Sequence, residues 1–394
     1  MKIIMMSDSP TLPTGYGRVI KTLAQSFLNA GHQVEVIGWG YGGEPHSLPY
    51  NILPASQNDR FGENMLANYI RIEKPDILFT LGDPWMLDFV PNMDERNAVT
   101  WISYFPLDGH PIPKNWHQWI TSADVPVVFS KYAYELIRNT LPNQKAPLFI
   151  PHGVDTKIFM PLDKEEVKTE FGVPDKFVVG TVARNQPRKN LPALIKAFSI
   201  FAANKEDTIL YMHTQVRDVG WNIDELVGRY NLDEKAFTTT GFNALEGVKD
   251  EELVQIYNTF DIFVLPTMAE GFGLPILEAQ SCGVPVLVTD FSACSELVVD
   301  RQELLKVKDT LIMGRNIEQA VVDVEDIVRK LEFFYNDWKK KDKKKLTYYS
   351  TEGRKLAENY DWEKISKDFI SLLKHVEPSA ISRNKRIYPT FVSI

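Results

Sequence analysis

The sequence predicts an α/β fold: two Rossmann-like, doubly wound domains in series. Three observations predict it. Short continuous apolar runs alternate with amphipathic helical stretches. The alternation is interrupted once, by a Pro-containing stretch near 150–161, and then restarts. The chain has 394 residues, more than twice the roughly 150 of an average domain.

The first half offers strands at 2–6, 33–38, 76–81, 99–104, 126–129 and 147–150. Their apolar residues are continuous rather than alternating, as in parallel strands buried on both faces. Between the first two strands lies a helix with Val19, Ile20, Leu23, Ala24, Phe27 and Leu28 along one face, closed by Gly31. Strand, helix, strand at this spacing means a parallel pair. Ile150-Pro151-His152-Gly153-Val154-Asp155, with Pro161, marks the boundary and gives domains at 1–155 and 156–364. In the second domain, strands are expected at 176–183, 208–213, 236–240, 261–265 and 285–289. Helices are expected at 191–204, 222–231, 250–258 and 274–282, then at 323–345, 347–359 and 362–376. The tail from Ser379, with an apolar end at Tyr388-Pro389-Thr390-Phe391-Val392, either docks or frays.

Composition removes several function classes. Charged residues are 24% and hydrophobic residues 44%, values of a soluble globular chain. No apolar run approaches the roughly 18 residues of a membrane span. The start, broken by Asp8, reads as a buried strand rather than a signal peptide. Cys282 and Cys294 are too few for a disulfide framework or a four-cysteine zinc site and suit a reducing compartment, hence a cytoplasmic location. A net charge of −8, with neither half basic overall, disfavours a general nucleic-acid binder. Asp290 and its neighbours form no Asp-x-Asp pair, so no metal is expected.

Doubly wound domains bind ligands outside the carboxyl ends of their strands, so the loops that follow strands carry the chemistry. Glu270-Gly271-Phe272-Gly273-Leu274-Pro275, with Glu278, joins a strand to a helix that has a proline in its first turn. The glycines admit close backbone approach, and a helix N-terminus offers free N–H groups to an anion. Two carboxylates beside such a site make sense if they grip hydroxyls, which points to a sugar nucleotide. Without a ligand, the same residues are a helix start with a favourable dipole. Arg184 through Asn190, with Arg184, Arg188 and Lys189, can neutralise a diphosphate or form a solvated loop. Gly15-Tyr16-Gly17 follows the first strand but lacks the third glycine of the dinucleotide fingerprint. Asp108 and His110, after the strand at 99–104, are candidates for polar contacts or proton handling, or simply a turn at Asp108-Gly109. The lysines at 339–341 and 343–345 read as a solvated helix end, or as a contact for an anionic membrane or nucleic acid. Trp85, Tyr104, Trp116 and Trp119 either pack or stack on an acceptor sugar.

Taken together, the string from Glu270 to Ala279, followed by Gly283-Val284-Pro285-Val286, resembles the acidic signature of family 4 retaining glycosyltransferases. Ile150–Asp155, Gly180–Arg184 with Lys189 and Asn190, and Tyr360-Asp361-Trp362 are similar to further segments of that family. The resemblance is strongest over 150–375. It implies the two-domain glycosyltransferase B fold, with the domains facing each other across a cleft and residues 365–394 returning to an acceptor-binding first domain. It also implies that Arg184 and Lys189 contact the donor diphosphate. Glu270, Gly271, Phe272, Gly273 and Leu274 would hold sugar and phosphate, Glu278 the ribose, and Gly15, Tyr16 and Gly17 would lie under the diphosphate. The family often has adjacent glycines where Tyr16 intervenes here, and a His where Asp108 stands, with His110 two residues on.

The function this implies is retaining transfer of a sugar from a nucleotide diphosphate to an acceptor hydroxyl of a glycan, a lipid or another molecule. No cofactor is needed beyond the donor substrate, and the location is the cytoplasm or the surface of a membrane. The alternatives are a sugar-nucleotide epimerase or a phosphorylase of the same architecture, or a binder of nucleotide sugars that has lost turnover.

Overall fold

The computed structural model describes residues 1–55, 58–241 and 247–376. It divides into two compact units. The first contains Met1–Leu107, Ile112–His152 and the C-terminal stretch from Trp362. The second contains Gly153–Asp361 and the four residues Asp108–Pro111.

The strands of the first unit are β1 (Lys2–Asp8), β2 (Gln33–Trp39), β3 (Asn51–Pro54), β4 (Ile77–Leu81), β5 (Thr100–Phe105), β6 (Val125–Val128) and β7 (Leu148–Phe149). They form one parallel sheet in the order β3-β2-β1-β4-β5-β6-β7. The order reverses direction between β1 and β4, the switch point of a doubly wound sheet. Ile3, Ile4, Met5 and Met6 are fully buried, as expected of a central strand covered on both faces. The helices are α1 (Gly15–Asn29), α2 (Glu63–Glu73), α3 (Lys114–Ser122) and α4 (Lys131–Thr140). The C-terminal helix Trp362–His375 completes this unit. Its Phe369 ring packs edge-on against Phe27, Phe79 and Tyr104, and Ser366 Oγ meets Ser26 Oγ at 3.1 Å.

The second unit begins with α5 (Lys164–Glu170), and its main strands are β8 (Phe177–Val182), β9 (Thr208–His213), β10 (Ala236–Thr238), β11 (Ile262–Leu265), β12 (Val286–Thr289) and β13 (Leu304–Leu305). They repeat the doubly wound order, β10-β9-β8-β11-β12-β13, again all parallel. Helices α6 (Leu191–Phe201), α7 (Ile223–Arg229), α8 (Asp250–Thr259) and α9 (Leu274–Ser281) lie between them in sequence. At the amino end of the central pair, the buried Asp261 accepts from Lys168 Nζ at 2.5 Å and from Val178 N at 2.8 Å. This pin joins the start of β8 to the start of β11, the two strands whose opposite ends carry the candidate site.

The sequence expectation named neither β3 nor β13 nor helices α2 to α5, and two further elements depart from it. An antiparallel hairpin, β14 (Val307–Met313) and β15 (Ile317–Val322), stands where only connecting chain was expected. The helix expected at 323–345 is instead α10 (Val324–Trp338), followed by α11 (Lys344–Asn359). The break has a local cause. Asp337 Oδ2 accepts from Lys345 N and Leu346 N, so a side chain of α10 caps the start of α11. With this last helix, the C-terminal one is α12. The expectation for 379–394 lies outside the described residues. Among the described residues, no helix is long and apolar enough to cross a membrane.

Candidate active site

The loops after β8 and β11 leave the neighbouring strands at the second unit's switch point, and their side chains converge. Glu270 is buried, with 5% of its surface exposed. Its Oε1 accepts from Lys189 Nζ at 2.5 Å and its Oε2 from Arg188 Nη1 at 2.9 Å. The same Arg188 nitrogen donates to Ala269 O at 2.8 Å. Arg188 also supplies its carbonyl to Met268 N at 2.7 Å and to Thr267 Oγ1 at 3.1 Å. One residue therefore fastens the two loops through both its side chain and its backbone. Glu270 N donates to Ser292 Oγ at 3.0 Å, which holds the backbone that carries the carboxylate.

The electrostatics follow from this packing. Burial favours the neutral form of Glu270, but Arg188 and Lys189 outweigh it and hold the carboxyl at about 2. Burial, then Arg188, push the Lys189 ammonium down, while Glu270 pulls it back up.

Gly273 sits at φ +106° as the residue before α9, a conformation that strains any other side chain. A Cβ there would also lie 2.8 Å from Ile276 Cδ1. Gly271 and Phe272 complete the turn, and the Phe272 ring packs edge-on to Tyr360. Leu274 opens α9 with Pro275 beside it. Glu278, one turn in, is buried, and its Oε2 accepts from Tyr257 Oη at 2.7 Å. Its surroundings push the Cys282 thiol up, by burial first and by Glu278 second.

Asp108 joins this group through an unexpected route. The sequence reading put it in the first domain, but Asp108–Pro111 sort with the second unit because the segment pairs with the hairpin. His110 bridges antiparallel to Glu318, Glu318 N donates to His110 O at 2.7 Å, and Ala320 N donates to Met268 O at 2.9 Å. The Asp108 segment and the Glu270 loop thus both bond the same edge of β15, two residues apart. A Cβ on Gly109 would meet Glu318 O and Ile317 Cγ2 at 2.4 Å, so only glycine allows this approach. Asp108 is half-buried and accepts a long bond from Gln319 Nε2 at 3.4 Å. Burial raises its pKa. Arg188 opposes that rise and Glu270 adds to it, which places all three within electrostatic reach. His110 instead faces Glu318, with Nε2 3.8 Å from Oε2, and its ring packs against Phe291.

Arg184 is engaged elsewhere. It is half-exposed and makes a two-nitrogen pair with Asp218, at 2.7 and 3.2 Å. The fully buried Asn185 ties down the loop that carries Asp218 by bonding Gln215 O, Trp221 O and Trp221 N. The structure thus groups Lys189, Glu270 and Asp108 with Arg188, which the sequence reading left off the site. The signal was present, since Arg188 was counted among the bases of its loop, but nothing in the spacing said which base would reach Glu270.

Gly15, Tyr16 and Gly17 belong to the first unit and form the first turn of α1 rather than a free loop. Thr14 caps that helix: its Oγ1 accepts from Gly17 N at 3.0 Å and donates to Asp8 Oδ2 at 2.6 Å. A Cβ on Gly17 would lie 2.6 Å from Leu12 O. Tyr16 Oη donates to Asp83 Oδ2 at 3.2 Å, joining the segments after β1 and β4. Of the aromatic candidates, Tyr104, Trp116 and Trp119 are buried packing residues, and Trp85 is half-buried. In the lysine cluster, Lys339, Lys340 and Lys344 pair with Asp207, Asp337 and Asp342. Among the described residues, no group of three or more His, Cys, Asp or Glu side chains is arranged to hold a metal ion.

This architecture is the glycosyltransferase B fold. Sucrose-phosphate synthase from Thermosynechococcus elongatus superposes with a TM-score of 0.77 at 17% identity, covering 95% of this chain and 98% of that one. HepE from Anabaena in complex with UDP superposes with a TM-score of 0.72 at 16% identity, covering 95% and 100%. Residues 163–356 match the family described as glycosyl transferases group 1. The serotype-specific mannosyltransferase WbdA of Escherichia coli is 30% identical over 162 residues, 40% of this chain and 19% of that protein. O-antigen chain mannosyltransferase B of Escherichia coli is 32% identical over 145 residues, 37% of this chain and 36% of that protein. A probable sucrose-phosphate synthase of Thermosipho melanesiensis is 24% identical over 250 residues, 62% and 51% of the two. The chain therefore spans between about a fifth and about a half of the length of these relatives.

Proposed function

We propose that the chain is a family 4 retaining glycosyltransferase that moves a sugar from a nucleotide-diphosphate sugar to an acceptor hydroxyl. The observation that carries this reading is the meeting of Arg188, Lys189 and Glu270 at the carboxyl ends of β8 and β11. Two cations and one carboxylate leave a local surplus of positive charge, suited to a diphosphate. Glu278 and Asp108 supply further carboxylates for hydroxyls of the ribose and of the transferred sugar. Arg184 exchanges Asp218 for the diphosphate when the donor arrives, and the Gly271–Gly273 backbone approaches its phosphates. HepE, bound to UDP in its own structure, favours a nucleoside diphosphate leaving group.

In the reaction, the bond between the anomeric carbon and the diphosphate oxygen breaks. A bond to the acceptor oxygen forms on the same face, and the acceptor's proton passes to the departing phosphate. Glu270 is ill-suited to act as a covalent nucleophile, because two cations already hold its charge. The chain's work is to stabilise charge on the leaving group and to orient the two substrates. This chemistry asks for no metal or other cofactor. We assign the acceptor to the first unit and the reaction to the cytoplasm, in solution or at a membrane surface.

The test is a thermal-shift panel of nucleotide sugars, followed by proton NMR of the product formed with the donor that binds. Expected are a stabilising donor, a product with unchanged anomeric configuration, and no turnover in Lys189→Ala or Glu270→Ala. An inverted product would remove retention. Isomerisation of the donor without acceptor would replace transfer by epimerisation. Full activity in both variants would remove the site assignment.

A further inference from the structure

A pocket of about 370 Å³ opens at the far side of the second sheet, away from β8. Asp290 follows β12, Lys306 follows β13, and Asp326, Arg329 and Lys330 come from α10. The Glu270 group stands after β8 and β11, so the pocket uses a different pair of strand ends.

Its charges are arranged in pairs with a surplus. Arg301 Nη2 donates to Asp290 Oδ2 at 3.0 Å, and Arg329 Nε donates to Asp326 Oδ1 at 3.0 Å. Lys306 and Lys330 are left over, so four bases face two carboxylates, an excess of two positive charges. The Lys306 side chain is exposed at the rim, and its own backbone N–H donates to Asp326 Oδ2 at 2.8 Å. Lys330 is 3% exposed yet lines the pocket. Its ammonium donates to Gln302 O at 2.7 Å and Arg301 O at 3.3 Å, two of its three available bonds. Keeping an ammonium buried against two carbonyls is costly: burial lowers its pKa, while Asp326, Asp300 and Asp290 oppose that shift. A dianion in the pocket would offset that cost. Asp290 and Asp326 retain lone pairs for hydroxyls beyond those their present partners use. The volume lies at the small end of ligand sites and exceeds what a bare phosphate fills.

We propose that this pocket is a second ligand site that takes a phosphate monoester of a small polyol, with Lys306, Lys330 and Arg301 on the phosphate and Asp290 and Asp326 on hydroxyls. The site stands independently of the glycosyl-transfer reading, because no residue is shared with the Glu270 group.

Isothermal calorimetry with ribose 5-phosphate tests it, with ribose and inorganic phosphate as control ligands. Expected is saturable binding of the ester, tighter than either control and at least tenfold weaker in Lys306→Gln and in Arg301→Gln. Both changes lie at exposed positions, so circular dichroism and melting temperature should match the parent chain. Saturating UDP should leave the ester's affinity unchanged. Absence of saturable binding, equal affinity for inorganic phosphate, displacement by UDP, or unchanged affinity in both folded variants would each overturn the proposal.

Discussion

Lys189 Nζ stands 2.5 Å from Glu270 Oε1, and both side chains are buried. The ion pair crosses between loops that leave two adjacent central strands, so it latches the switch point of the second sheet as well as charging it. Taking two ions out of water costs several kcal/mol each, so the net worth of the pair to stability is small. Removing one partner is another matter. Glu270→Gln keeps the shape but leaves Arg188 and Lys189 facing each other without a counter-charge. Urea unfolding is expected to show a loss of about 3–5 kcal/mol. Adding Lys189→Met should recover part of that loss, since the stranded cation is then gone. A double variant whose loss equals the sum of the two single losses would show that the pair is not coupled.

Arg184 and Arg188 make contrasting predictions although four positions separate them. Arg184 is half-exposed and pairs with Asp218, so Arg184→Gln should change stability by less than about 1 kcal/mol. Its effect should appear as weakened donor binding, read as a raised KM. Arg188 holds Ala269 O and Glu270 together. Arg188→Gln should therefore lower both the melting temperature and kcat, the latter by at least tenfold. Identical behaviour of the two variants would contradict this division.

Asp108 lies where a carboxylate feels both Arg188 and Glu270. Burial raises its pKa, so on acidification it takes up a proton earlier than an exposed aspartate would. If the ionised form accepts a sugar hydroxyl, kcat/KM should fall on the acid side through that titration. Asp108→Asn should lower kcat at neutral pH and remove that acidic limb, while the donor still stabilises the protein in thermal shift. An unchanged acidic limb would assign it to another group.

Much of the fold was legible because buried parallel strands leave a plain signature. The strand expected at 208–213 coincides with β9, and most others differ only at their ends. The hairpin was illegible for a physical reason. In β14, Lys308, Asp309, Thr310, Leu311 and Ile312 are all exposed, so no face selects apolar residues and no alternation appears. Its turn, Gly314-Arg315-Asn316, takes positive φ at Arg315 and Asn316 rather than at its glycine. Missing the hairpin concealed the grouping of Asp108 with the second unit, since that grouping is made by strand pairing across two hundred residues of sequence. The site's acidic half was legible because glycines, proline and carboxylates sit together in one short string. Its basic half was ambiguous among Arg184, Arg188 and Lys189, and only packing distinguishes them.

Two buried histidines tie stability to pH. In the first unit, His152 is stacked on Phe129, its Nδ1 is 2.7 Å from Tyr104 Oη, and burial lowers its pKa to about 3. In the second, His213 Nδ1 is 2.9 Å from Thr239 Oγ1, and burial lowers its pKa to about 4. Each folded unit prefers the neutral ring, while the unfolded chain binds a proton near pH 6.5. Their contribution is therefore present in full above about 6.5 and is lost as pH falls toward the folded values. The melting temperature should drop steadily from pH 6.5 to pH 4. His152→Phe preserves the stacking surface, and Tyr104 Oη keeps its bond to Ile150 O at 3.0 Å. That variant starts less stable at neutral pH, for want of the imidazole's hydrogen bond, but its melting temperature should fall less steeply over the same range. A slope equal to that of the parent chain would mean that His152 gains its proton without unfolding the first unit.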